Sequence, residues 1–347
     1  MRFIHIADVH LGAVPDSGCP WSASRGKEIR TTFRRVIELA KKEGIDLLLI
    51  AGDLFHRQPL VREVREINYL FSTIPEVEVV WMAGNHDYLK ADSAYRKIEW
   101  SPNVHGFFSQ QPEEIFLPKL KTWVYGFSYE NREIHDNLYR NIQPNGEPGY
   151  HILLAHGGDE KHIPFRAEDL AGFDYAALGH IHKPEILVSG QAAYAGALEP
   201  LDRTDLGEHG LIYGKIENGR TRIRFVPVAC RSYLYLELTV DPSTTQLELE
   251  QMVRDGIEQK GGQNIYRVRI KGYHNPDMEF DVKSLYGLGN VVEAEDTAFP
   301  YYDLEKLKKQ QEGTLISEYI RCFDGREGVV ERKALFYGLQ ALMETEL

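Results

Sequence analysis

Short apolar runs recur through the first two hundred or so residues, and each stops at a turn crowded with polar side chains. Residues 3–7 alternate weakly, read as a first strand, and stop at Asp8-Val9-His10. Residues 46–51 (Asp-Leu-Leu-Leu-Ile-Ala) are almost continuously apolar, as a strand buried on both faces should be. They end in Gly52-Asp53-Leu54-Phe55-His56. The run to Met82 ends in Gly84-Asn85-His86-Asp87, where Gly84 permits a tight turn that a Cβ would obstruct. Residues 150–155 lead into His156-Gly157, and residues 174–178 into Gly179-His180-Ile181-His182. Five strand ends thus deliver carboxylate, amide or imidazole groups. Open α/β sheets place their sites at the carboxyl ends of strands.

Between these runs the periodicity changes. Residues 13–27 are rich in Pro, Gly and Ser and read as a loop. A helix is expected over 28–43, with Ile29, Phe33, Val36, Ile37 and Ala40 on one face and Gly44 at its stop. A second helix is expected over 61–72. Residues 123–127, 185–188 and 192–197 read as strands, and 211–216 and 221–226 flank an Asn-Gly hairpin at Asn218-Gly219. The pattern restarts near residue 232 with a strand over 233–240, a helix over 245–259 and a strand over 265–270. That makes a small α+β module spanning 232–300. Two amphipathic stripes close the chain: Ile316, Tyr319, Ile320 and Phe323, then Leu335, Phe336, Leu339, Leu342 and Met343. Such stripes are more often core than a partner-binding face.

At 347 residues the chain is long for one domain, and 43% hydrophobic with 27% charged residues is an ordinary globular composition. No run approaches the roughly 18 apolar residues of a membrane span. The few residues before Asp8 read against a cleaved signal peptide. Cys19, Cys230 and Cys322 are far apart, which points to a reducing cytoplasm and to neither a disulfide framework nor a thiolate zinc site. A net charge of −12 argues against a protein that coats nucleic acid indiscriminately, but leaves room for a local basic groove. Besides the basic run 306–309, Arg267, Arg269 and Lys271 alternate onto one face of the 265–270 strand. They read either as a DNA contact or as charges protecting an edge strand.

The strand-end residues Asp8, His10, Asp53, Asn85, His156, His180 and His182 offer oxygen and nitrogen but no sulfur, a set that suits Mn²⁺, Fe, Zn²⁺ or Mg²⁺. On extended chain, the DxH and HxH spacings would turn both members of each pair the same way. Seven ligands besides His86 are too many for one ion with an open position. Two metals roughly 3.5–4 Å apart, sharing one carboxylate, account for the number. Such a pair acidifies water into a nucleophile and offsets charge on a phosphate, while an imidazole beside it can protonate a leaving oxygen. Of the thirteen histidines, His10, His56, His86, His156, His180 and His182 lie in or beside these motifs. His5, His105, His135, His151, His162, His209 and His274 read as surface or core residues.

In that order, the motifs resemble the calcineurin-like metallophosphoesterase superfamily. Asp8-Val9-His10-Leu11-Gly12, Gly52-Asp53-Leu54-Phe55-His56 and Gly179-His180-Ile181-His182-Lys183-Pro184 resemble its SbcD-type DNA repair exonuclease branch. Residues 195–202 and 206–210 are similar to the segment after the last metal motif in bacterial members. The motif resemblance covers residues 1 to about 215. It implies a four-layer α/β/β/α metallophosphoesterase sandwich over 1–230, a small α+β capping domain over 231–300 and short C-terminal helices over 301–347. It further implies one metal on Asp8, His10, Asp53 and His182 and a second on Asp53, Asn85, His156 and His180. His86 would be the catalytic histidine, oriented by Asp87, with His56 as an accessory. Two divalent ions are expected, Mn²⁺ first among them. The expected partners are DNA, as single strands or duplex ends, an SbcC-type coiled-coil ATPase on the C-terminal helices, and a second copy in a homodimer. The activity implied is hydrolysis of DNA phosphodiester bonds in the cytoplasm, by exonuclease and also endonuclease action. The alternatives are a phosphoesterase for nucleotides and a nuclease-like subunit that mainly docks an SMC-like ATPase.

Overall fold

The apolar runs form strands, and the two faces of each strand settle into different cores. The structure, a computed structural model, describes residues 1–188, 190–326 and 328–345. Its first compact unit is Met1–Tyr233. There β1 (Arg2–Ile6), β2 (Leu47–Ala51), β3 (Glu78–Met82) and β4 (Val104–Gly106) lie parallel in one sheet. A second sheet holds β5 (Glu113–Leu117), β6 (Thr122–Gly126), β7 (Tyr150–His156), β8 (Tyr175–Gly179), β9 (Glu185–Val188) and β10 (Ala192–Tyr194), ordered β5-β6-β7-β8-β10-β9. The chain then returns to the first sheet through β11 (Gly210–Glu217) and β12 (Arg220–Pro227), giving β12-β11-β1-β2-β3-β4. Asn218 and Gly219 both adopt left-handed backbone, as an Asn-Gly hairpin turn requires.

Phe3, Leu47, Leu49, Val80 and Met82 pack between the sheets against Val124, Ile152, Leu154, Tyr175 and Ala177. The alternate residues Ile4, Leu48, Ile50, Val79 and Trp81 pack outward on helices α1 (Ser22–Lys42) and α2 (Val61–Ser72). Helix α1 begins inside the stretch that its Pro, Gly and Ser content marks as loop. Its first turn is held by the buried Arg25, which bonds Glu28 at 2.6 Å, faces Glu199 at 3.6 Å and donates to the Pro200 carbonyl. That anchorage is ionic, so apolar periodicity does not reveal it. The outer face of the second sheet is covered more thinly. Tyr129, Ile134, Tyr139, Ile142, Leu170 and Phe173 pack on it from loops and the 3₁₀ turns Leu138–Asn141 and Ala167–Leu170. The layers are therefore helix, sheet, sheet and a fourth layer of short turns, a mixed α/β sandwich.

The second unit is Leu234–Leu347. Strand β13 (Tyr233–Val240) leads into α3 (Gln246–Lys260), which starts at a capping box between Thr245 and Glu248. Then come β14 (Ile265–His274), β15 (Val291–Asp296) and β16 (Phe299–Pro300). Leu236, Leu249, Val253, Ile257, Val268 and Ile270 form their core. Helices α4 (Leu304–Gln310), α5 (Leu315–Arg321) and α6 (Val329–Thr345) follow, and Ile316, Ile320, Leu335 and Leu339 turn inward among them. Strand β14 is not an edge: it lies between β13 and β15. Its basic face is neutralised residue by residue. Arg267 bonds Glu293 at 2.7 Å, Arg269 bonds Glu295, and Lys271 bonds Glu237 at 2.5 Å. Among the described residues no helix is long and apolar enough to cross a membrane.

Candidate metal centre

Parallel pairing brings the carboxyl ends of β1, β2 and β3 to one edge, and β7 and β8 meet them from the other sheet. Asp8, Asp53, Asn85 and His180 follow β1, β2, β3 and β8, and His156 closes β7. The chain leaves these strands by sharp bends. Of the eight non-glycine residues with left-handed backbone among the described residues, four are Asp8, His10, Asp53 and His180. Such strain gathers where surrounding structure over-determines the backbone. Here the clamps are Asp8 N to the Gly52 carbonyl (3.2 Å), His10 N to the Asp53 carbonyl (3.0 Å) and Ala197 N to the His182 carbonyl (2.8 Å). These bends correct the expectation of extended DxH and HxH segments. Each pair reaches the site through a kink rather than by strand alternation, and His180 and His182 meet different partners. At Gly84 a Cβ would strike the Asp53 side chain, so the approach of the two turns demands glycine.

Lone pairs converge at this edge. His156 Nδ1 donates to the Ala51 carbonyl at 2.8 Å, so its Nε2 is bare, and it points at Asn85 Oδ1 2.9 Å away. His180 Nε2 lies 2.8 Å from the Asp159 carboxylate, which only accepts. Its Nδ1 is therefore also bare, 3.2 Å from the same Asn85 oxygen. Asp53 Oδ2 stands between His10 Nε2 at 3.7 Å and His156 Nε2 at 3.6 Å, too far to hydrogen-bond either. His10 Nε2 is buried without any partner. Asp8, His10 and His182 bring ligand atoms within 4.8 Å of one another, as do Asp8, Asp53 and His156. Acceptors packed against acceptors repel unless a cation lies among them. The donor set fits two divalent ions.

The electrostatics point the same way. Burial pushes Asp8 up to about 8, against the attraction of His182 and helped by Asp53. Burial also raises Asp53. It lowers His156 to about 3 and His180 to about 4, and takes His10 well below its ordinary value, with neighbouring imidazoles adding to the effect. Ionised carboxylates and neutral imidazoles are the ligand forms, and a divalent ion supplies the charge that makes the carboxylates ionise. His182 is the exception. Burial would lower it, but Asp205, 3.1 Å from Nδ1, and Asp8 hold it at about 9. Asp205 also accepts from Leu201 N at 2.9 Å.

Three residues expected to serve catalysis sit beside this centre. His86 N donates to Asp53 Oδ1 at 2.8 Å, and its Nδ1 lies 3.0 Å from the His56 carbonyl. The His56 and His86 rings stack at 5.2 Å, and His56 Nδ1 is 3.3 Å from His10 Nδ1. Asp87 does not orient the His86 ring. Its buried carboxylate accepts from Gly84 N (2.8 Å), Phe55 N (3.1 Å) and Tyr95 Oη (2.6 Å), riveting the two turns together. Burial and then Asp53 raise it to about 7, against these bonds. A cavity of about 380 Å³ opens over the histidines, lined by His10, Val14, His56, His86, His182 and Leu201. The segment 199–202 that walls it is tied to α1, because Glu199 accepts from Thr32 and from Cys230 N. Asp159 and Asp205 are contacts that sequence reasoning missed. Each is an acid in a loop, outside the strand-end motifs.

Comparison with known proteins bears on this geometry. The family model for calcineurin-like phosphoesterases matches residues 1–184. The chain is 30% identical to the uncharacterized metallophosphoesterase YhaO of Bacillus subtilis, over 78% of this chain and 72% of that protein. It is 29% identical to the DNA double-strand break repair protein Mre11 of Methanopyrus kandleri over 58% of this chain, and spans about half (49%) of that protein's length. It is 22% identical to a subunit of the nuclease SbcCD from Staphylococcus epidermidis, over 92% of this chain and 93% of that protein.

Proposed function

Because the chain belongs to the calcineurin-like phosphoesterase family, we propose that it cleaves phosphodiester bonds in DNA as a repair nuclease of the SbcD and Mre11 kind, acting as an exonuclease and also as an endonuclease. As a member of that family it is a metal-dependent phosphoester hydrolase. The observation that carries the nuclease reading is the convergence of bare ligand atoms on Asn85 and Asp53, beside an open cavity, in a chain whose relatives include proteins named for DNA break repair and nuclease activity. One ion is assigned to Asp8, His10, Asp53 and His182, the other to Asp53, Asn85, His156 and His180. Mn²⁺ is the proposed metal. When bound, the pair acidifies water and offsets phosphate charge. The chain's own groups do the rest. With Nδ1–H held at the His56 carbonyl, His86 carrying a second proton would present Nε2–H to hydrogen-bond the phosphate or to protonate the leaving oxygen. His56, stacked on it, limits how that ring turns.

The remaining assignments follow from the same reading. Residues 231–300 would cap the site. The helices over 301–347 would dock an SbcC-type coiled-coil ATPase, a role supported by the exposed Leu315, Val330 and Tyr337. A homodimer and a cytoplasmic location complete it. One observation favours a second reading, a phosphoesterase for small substrates such as nucleotides: the basic face of β14 is already paired with Glu293, Glu295 and Glu237 and has little charge to spare for a DNA backbone. The test is cleavage of end-labelled single- and double-stranded DNA with Mn²⁺, Mg²⁺ or chelator, beside a chromogenic diester and monoester. Metal-dependent DNA cleavage that disappears in His86→Ala is the expected result. Turnover of the small diester with DNA untouched under every metal would replace the nuclease with the small-substrate enzyme.

A further inference from the structure

We propose that Asp159 is a positioning residue that fixes the tautomer of His180, so that Nδ1 is the nitrogen offered to an ion. The inference rests on the dinuclear reading above and concerns how one of its ligands is kept available.

Asp159 lies in the loop after β7, reached through Gly157 and Gly158, and that loop closes through Gly158 N to the His162 carbonyl at 2.8 Å. Both carboxylate oxygens touch the loop, since His162 Nδ1 lies 3.0 Å from Oδ2, but Oδ1 takes most of the local bonds. Oδ1 accepts from Lys161 N at 2.8 Å, His162 N at 2.9 Å and His162 Nδ1 at 2.9 Å. Those bonds hold the carboxylate in place and aim Oδ2 at His180 Nε2, 2.8 Å away. A carboxylate has no proton to give, so Nε2 carries it. The alternative tautomer has an attraction of its own: a proton on Nδ1 would hydrogen-bond Asn85 Oδ1 at 3.2 Å. That bond would satisfy both groups and close the site to a cation. Asp159 tips the balance toward the bare Nδ1. At His182 the arrangement is reversed, since Asp205 engages Nδ1 at 3.1 Å and leaves Nε2 for the ion. Two histidines separated by one residue thus present opposite nitrogens to neighbouring ions. Partners that orient a ligating imidazole typically change metal affinity by about 10–100-fold when removed.

The test reads the tautomer directly. Long-range ¹H–¹⁵N spectra of the metal-free full chain, with His180 assigned by loss of its signals in His180→Gln, should show the proton on Nε2. In Asp159→Ala the proton should shift toward Nδ1, and calorimetric titration should show one of two Mn²⁺ sites weakened by about 10–100-fold. Asp159→Asn keeps an acceptor oxygen and should restore much of both. The Asp159 side chain is about half exposed (47%), so the variants should fold, which circular dichroism checks. A wild-type proton on Nδ1, or two wild-type Mn²⁺ affinities in Asp159→Ala, would overturn the positioning role alone. A wild-type chain that binds no Mn²⁺ would overturn the dinuclear reading and this inference with it.

Discussion

The chain holds two conspicuous arrays of charged and ligating side chains, one in each compact unit, and they obey opposite rules. On β14, Arg267, Arg269 and Lys271 each meet a carboxylate from a neighbouring strand, and all remain in contact with solvent. That array is complete in itself and worth little, as solvent-screened pairs are. At the strand ends of the first unit, Asp8, Asp53, His10 and His156 are buried, and their free atoms face other acceptors. That array is costly unless something positive joins it. A charged cluster that satisfies itself marks architecture; one that is buried and left incomplete marks a binding site.

Several experiments would break or sharpen this contrast. The largest effect is expected at Asp53. Asp53→Ala removes the oxygen between His10 and His156 and should abolish binding of both ions and reduce hydrolysis of a chromogenic diester to background. His86→Ala should lower kcat by about 10²–10⁴-fold while two ions still bind, as the proposed role on the substrate and not on the metals requires. Mn²⁺ should stabilise the fold by about 2.7 kcal/mol for each ion bound at a hundred times its Kd, read as a chelator-reversible rise in Tm.

A pH-dependent effect distinguishes a buried histidine that is not a ligand. His5 packs between the sheets, with Nδ1 2.9 Å from Tyr175 Oη, and burial lowers it from 6.5 to about 3. Between those values the unfolded chain takes up a proton that folded His5 refuses. Its share of stability is therefore intact above pH 6.5 and falls as pH drops toward 3, by up to about 1.4 kcal/mol per pH unit. His5→Gln should flatten that part of the stability–pH profile in denaturant melts. The smallest effect belongs to the β14 array: Arg269→Ala should leave diester hydrolysis unchanged and shift Tm slightly, and the shift should vanish at high salt.

Much of the site can be read from the chain because rare ligand types recur at one structural position, the end of an apolar run. Asp8, Asp53, Asn85, His156 and His180 all stand there. What cannot be read is what long-range folding adds. Asp159 reaches His180 across 21 residues, and Asp205 reaches His182 across 23. The left-handed bends at Asp8, His10 and His180 are likewise invisible to a period-two argument, since the strands stop before them. Asp87 illustrates a related limit: adjacency to His86 suggests a partner for its ring, whereas the buried carboxylate is used by backbone amides and Tyr95. The ligand-bearing strands and α2 are legible from apolar patterning, whereas the short β4 and the exposed β5 are not. The first turn of α1, anchored by Arg25, and the layer of short turns over the second sheet are not.

The proposed metal centre turns on Asp53 being shared by two ions. Crystals grown with Mn²⁺ and measured for anomalous scattering test it most directly. Two peaks are expected roughly 3.5–4 Å apart, one on each side of Asp53, with Asn85, His156 and His180 around one and Asp8, His10 and His182 around the other. A single peak, or peaks that leave Asp53 without a metal contact, would contradict it.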